Sequence, residues 1–162
     1  MQYQVDHEGL KPDLILPWTI VGIMLLMLAA YVIACQVMGE QLQSPLPEAQ
    51  RVLIRTVFYG IAIMTFPMTN LIRHIQLRLN QTMPLSGQNI ADAVKSRYLV
   101  TIIVSMSLVE SVGIFGFVMF ILGDGFNTLY IFTGLSALGL FLYRPKPDEY
   151  KGIIEALARA EK

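Results

Sequence analysis

The chain of 162 residues is poor in charge: Asp, Glu, Lys and Arg make up 15% of it, against about 25% in soluble domains. It has a single cysteine, Cys35, which excludes an intrachain disulfide and a cysteine-based metal cluster. Its two histidines, His7 and His74, fall outside the apolar stretches, which argues against a haem held between paired membrane histidines. Neither sign of charge is in excess, with 12 basic and 12 acidic side chains. Without a basic face there is nothing to draw a polyanion, so nucleic acid is not an expected partner. Catalytic signatures are missing as well: there is no phosphate-cradling Gly-Lys-Ser/Thr loop, no His-Glu zinc motif and no Gly-x-Ser-x-Gly elbow. The polar segments are too short for a soluble catalytic domain. The expectation is a protein that is not an enzyme and carries no cofactor or metal.

What the chain has in quantity is apolar sequence. Hydrophobic residues make up 54% of it, with a mean hydropathy of +0.55, and they gather into four blocks. These are Pro17–Met38, Thr56–Ile72, Tyr98–Leu122 and Phe126–Tyr143. A membrane-spanning helix needs about 20 mostly apolar residues, with a range of about 17–25. All four blocks qualify; the second is the weakest because Thr65, Pro67, Thr69 and Asn70 crowd its end. Pro67 is expected to free a carbonyl and kink its helix, which a membrane bundle tolerates. The first block is longer than the core of a cleaved signal peptide and follows an acidic leader, so it reads as a retained helix. Trp18 and Tyr143 stand where interfacial anchors belong.

Orientation follows from the basic residues in the flanks. If the N-terminus is cytoplasmic, the inside segments hold Lys11, Arg73, Arg78, Lys95, Arg97, Arg144, Lys146, Lys151, Arg159 and Lys162. The outside then holds only Arg51 and Arg55, so ten against two account for all 12. The positive-inside rule places both termini in the cytoplasm. The expected fold is therefore all-α: a polytopic membrane protein with four transmembrane helices, both termini cytoplasmic and a short C-terminal amphipathic helix. It divides into an N-terminal segment (1–16), a membrane domain (17–143) and a tail (144–162). Ser44 or Pro47 is placed to start the second helix, and "IADAVKSRY" begins the third below the membrane surface. Gly123-Asp124-Gly125 makes a tight turn that folds the third and fourth helices into a hairpin. In the tail, Asp148 opens a helix with Ile153, Ile154 and Leu157 on one side. Such a helix is expected to be solvated, or else to lie on the membrane or a partner. The expected location is a bacterial inner membrane, with the lipid bilayer and other membrane subunits, or further copies of the chain, as partners.

One residue conflicts with this composition. Glu110 is the thirteenth of 25 residues in Tyr98–Leu122, which puts a carboxylate at mid-membrane. An ionised acid there costs a few kcal/mol or more unless it is paired or protonated. No Lys or Arg lies inside the apolar blocks to pair with it. Desolvation favours the protonated form, and a carboxyl that gains and loses its proton near neutral pH can carry one. Ser107 and Ser111 flank the Glu110 face, Gly113 admits a close neighbour, and Thr65 and Tyr59 of the second helix lie at depths to reach it. Three roles stay open: a protonated residue that packs helices or subunits, a proton or ion site, and contact with a lipid, a quinone or a partner's cation.

The stretch "SRYLVTIIVSMSLVESVGIFGFVMFILG" resembles the carboxylate-bearing helix of subunit c of rotary ATP synthases. The shared features are a basic approach (Lys95, Arg97), the acid Glu110, the short segment "SVGI" and an aromatic-Gly pair, Phe115-Gly116. The resemblance implies that Glu110 binds a translocated proton or cation. It covers about 28 residues; the Gly-x-Gly repeat of that family's other helix is absent here, and the connecting loop is longer. Other features read more simply. The nine methionines fill packing gaps or face lipid. Cys35 is a small apolar packer, and "GDGFN" is a turn that lacks the other ligands of a calcium loop.

Overall fold

A computed structural model describes residues 11–84 and 89–160. Residues 1–10, including His7, and part of the "NQTMPLSGQN" loop lie outside the described residues. Five helices make up the described fold: α1 (Lys11–Met38), α2 (Glu48–Thr82), α3 (Ile90–Ile121), α4 (Phe126–Leu142) and α5 (Pro147–Ala160). No strand occurs among the described residues. Three segments are long and apolar enough to cross a membrane: Asp13–Leu42, Glu48–Thr82 and Ile90–Ile121. A fourth span is reached if α4 and α5, bent by 43° at their junction, are counted as one. The surface agrees with hydrocarbon: Leu26, Val37 and Ile63 are 71%, 79% and 70% exposed. In water, apolar faces of this extent would drive aggregation.

The helices outrun the apolar blocks at both ends. Helix α1 starts six residues before Pro17, since an apolar block marks where hydrocarbon begins and not where the backbone turns helical. Helix α2 begins after Pro47, a residue suited to a helix start because it has no N–H to leave unpaired. Pro67, where the sequence predicts a freed carbonyl, lies inside this continuous helix. A gap of one hydrogen bond is spanned by the turns on either side in a helix of 35 residues.

Helix α3 is the centre of the bundle. Half of its most apolar window is buried (50%), against 17% for α1 and for α2. Helix α4 packs along one side of α3, while α1 and α2 pack on its two other flanks and only slightly, if at all, on each other. The α3–α4 crossing is close because of two glycines. A Cβ at Gly116 would lie 2.8 Å from that of Phe132 and 3.1 Å from the Leu129 carbonyl oxygen. Gly139 is pressed against the Val109 side chain. Between α3 and α4, Gly123 adopts φ +89°, a left-handed turn that a side chain would strain. The α1–α2 connector closes over this turn: Ser44 N–H donates to the Ile121 carbonyl (2.7 Å) and Leu46 N–H to that of Leu122 (3.1 Å).

The C-terminal helix differs from a solvated tail. Tyr150, Ile153 and Leu157 of α5 are buried with Leu14, Val94 and Tyr98, so α5 closes one end of the bundle. Its apolar side is wide enough to join a core, and the 43° bend from α4 lets α5 pack on α2 and α3, the longer helices of the bundle.

Candidate functional site

On α3, positions three, four and seven residues apart share a face. Glu110 therefore lies on the same flank as Met106, Gly113 and Phe117, and this flank meets α1. Gly113 is pressed against the Leu28 side chain, and Phe117 stacks on Tyr31 with ring centroids 5.3 Å apart. Glu110 is 6% exposed, and its Oε1 is buried with no hydrogen-bond partner. None of the ion pairs among the described residues includes it. A buried acceptor left unsatisfied costs about 1–3 kcal/mol, more when charged, so this carboxyl is a place where the fold gives up stability.

The other residues that the sequence picks out lie as follows. Gly113 is buried beside Glu110 and makes the close approach of α1 possible. Ser107 is exposed on the open side of α3. Ser111 is half-buried and donates to the Leu108 carbonyl (2.6 Å). Thr65 donates to the Ile61 carbonyl of its own helix (2.8 Å), and Tyr59 stacks on Phe132 at 4.7 Å. Both belong to the opposite flank, where α2 meets α3 and α4, so the structure joins Gly113 to Glu110 and places the two α2 residues elsewhere. Serine and threonine hydroxyls bond to the carbonyl three or four residues back in their own helix when nothing better is in reach.

Tyr31, stacked on Phe117 of this flank, is the contact that sequence reasoning passed over. The signal was present: it is a phenol in the middle of an otherwise apolar block, on a helix at the matching depth. The pairing needed the knowledge that α1, and not α2, covers the Glu110 flank.

Two polar clusters close the ends of the bundle. At one end Arg73 is buried and pairs with Glu149 (2.6 Å). It also donates to the carbonyls of Tyr143 (2.8 Å) and Arg144 (3.3 Å), capping the end of α4. The Tyr98 hydroxyl accepts from Lys146 N–H (2.8 Å) and lies 3.1 Å from the Lys146 carbonyl. Asp13 meets both Lys95 (3.5 Å) and the Tyr150 hydroxyl (3.2 Å), tying the start of α1 to α3 and α5. At the other end Arg55 pairs with Asp124 (3.2 Å) and Arg51 donates to the Gly123 carbonyl (3.0 Å), holding the α3–α4 turn. These basic residues act as structural clamps at the two ends of the bundle. Among the described residues no group of three or more His, Cys, Asp or Glu is placed to hold a metal.

The chain matches no protein-family model, no curated protein and no solved structure. Function is therefore argued from the site.

Proposed function

We propose that this chain is a small integral membrane protein that serves as an accessory or structural subunit of an inner-membrane complex. It has four spans, with both termini in the cytoplasm, and a protonatable carboxyl, Glu110, at mid-membrane. The observation that carries this reading is the enclosure of Glu110. The residue is 6% exposed, beside the tight Gly113–Leu28 contact and with one oxygen unpartnered. A side chain so enclosed is better placed to be held neutral between helices than to exchange ions with water. The ten-to-two distribution of Lys and Arg supports the orientation.

A second reading rests on the resemblance of "SRYLVTIIVSMSLVESVGIFGFVMFILG" to the ion-binding helix of subunit c. In it, Glu110 is the ion-binding carboxylate of a proton- or cation-translocating element. Infrared difference spectroscopy in lipid, titrated from acid to alkaline pH with Glu110→Gln as control, separates the two. The packing reading expects a carboxylic-acid band that persists throughout and disappears only in Glu110→Gln. A band lost near neutral pH or on adding sodium, with proton uptake by reconstituted vesicles that Glu110→Gln abolishes, would replace it with ion translocation.

A further inference from the structure

The face of α3 opposite α4 is uncovered. Val100, Ile103 and Ile114 on this face are 51%, 40% and 40% exposed, and Ser107 between them is exposed too. At about 3.6 residues per turn these four fall within roughly a sixth of the helix circumference. They form one straight stripe. Helices α1 and α2 stand on either flank of it without extensive packing on each other, so the stripe lies in a shallow groove open to lipid. Ser107 is its smallest side chain and lies at the depth of Glu110.

Glu110 sits at the edge of this groove, under α1. It is more than nine-tenths buried, and its Oε1 has no partner. Among the described residues, the basic side chains Arg55, Arg73, Lys95 and Arg97 lie at the bundle ends and are engaged with partners of their own. A carboxylate at mid-membrane with no internal counter-charge matches a cation brought from outside, since charged side chains in membrane helices pair with one another or face water.

We propose that this groove receives a transmembrane helix of another subunit that carries one Lys or Arg at mid-membrane, and that Glu110 is its counter-charge. The proposal rests on the reading of the chain as a subunit of a membrane complex. The two helices would approach over Ser107, where a small side chain allows close contact. The incoming cation would meet the unpartnered carboxyl, and each buried charge would remove the cost of the other.

The test uses the full chain in phosphatidylcholine vesicles with a donor dye at Met83→Cys in a Cys35→Ala background. The probes are acceptor-labelled Leu/Ala helices of about 21 residues carrying a central Lys, a Lys moved two turns towards one end, or no Lys. The expected result is energy transfer that half-saturates at least tenfold lower for the central-Lys helix than for the other two. This preference should vanish in Glu110→Gln, and all binding should weaken in Ser107→Trp and in Ile114→Trp. Both tryptophans replace exposed positions, and circular dichroism confirms that the helices remain. Equal binding of the three probes, or a preference that survives Glu110→Gln, would overturn the proposal. So would self-association of the unmodified chain that both tryptophans abolish, since the groove would then hold a second copy. Failure of the underlying reading is separate: it is seen as proton uptake and a titrating band in the absence of any probe.

Discussion

At the level of single residues, the α1–α3 contact turns on the absence of a side chain. Gly113 lies against Leu28, with the Ser136 Cβ 3.3 Å from where its own Cβ would be. Gly113→Leu should therefore overpack the interface and cost about 1–3 kcal/mol. Gly134, on the same bundle, has open space where its Cβ would be. Gly134→Leu should leave stability within about 0.5 kcal/mol, as expected of surface changes. Unfolding in mixed micelles measures both, and equal losses for the two variants would show that Gly113 is not at a tight contact. At the same interface, Glu110→Gln should leave the fold intact, because a protonated carboxyl and an amide have similar shape and both donate hydrogen bonds. A melting temperature within a few degrees of the unmodified chain is the expected outcome; collapse of the fold would mean that the ionised form is required.

At the level of elements, α5 is held by one buried ion pair, the Tyr150–Asp13 hydrogen bond and three apolar side chains. Arg73 keeps 5% of its side-chain exposure and Glu149 keeps 18%. Removing one partner of a buried pair leaves an uncompensated charge, at about 3–5 kcal/mol; the residual exposure of Glu149 puts Arg73→Gln near the lower end. The same change uncaps the carbonyls of Tyr143 and Arg144. Amide hydrogen exchange should then rise across Pro147–Ala160 and the end of α4, with α1 and the middle of α3 unchanged. The pair Lys151–Glu155 is the comparison: at 3.9 Å and half-exposed, its loss should cost about 0.5 kcal/mol or less. If Arg73→Gln is as mild as Lys151→Ala, then the apolar contacts of Tyr150, Ile153 and Leu157, with the Tyr150–Asp13 hydrogen bond, hold α5 alone.

At the level of the whole molecule, the prediction concerns sidedness. The α2–α3 loop and the end of α5 should share one side of the membrane, and the α3–α4 turn should lie on the other. Cysteines at Met83, Arg159 and Asn127, all exposed, test this with a membrane-impermeant maleimide on intact cells and on inverted vesicles. Met83→Cys and Arg159→Cys should react only in inverted vesicles, and Asn127→Cys only in intact cells. Labelling of Met83→Cys and Asn127→Cys from the same side would remove the third helix as a span and with it the mid-membrane position of Glu110.

Some of this architecture could be read in one dimension and some could not. The long helices were legible because each apolar block must satisfy its own backbone in hydrocarbon, and a helix does so locally. The start of α2 after Pro47, the start of α3 at Ile90 and the glycine turn before α4 follow from equally local chemistry. Glu110 was conspicuous for the same reason, as a single acid among apolar neighbours. Its surroundings were not, because nothing local says which helix covers which flank of α3. Tertiary packing put Tyr31 and Leu28 against Phe117 and Gly113 on the Glu110 flank, left Tyr59 and Thr65 on the far side, and drew α5 into the core through Arg73. Lipid drives every apolar face inward or outward almost equally, so side-chain fit at Gly113, Gly116 and Gly139 decides the arrangement, and fit is a property of pairs of helices.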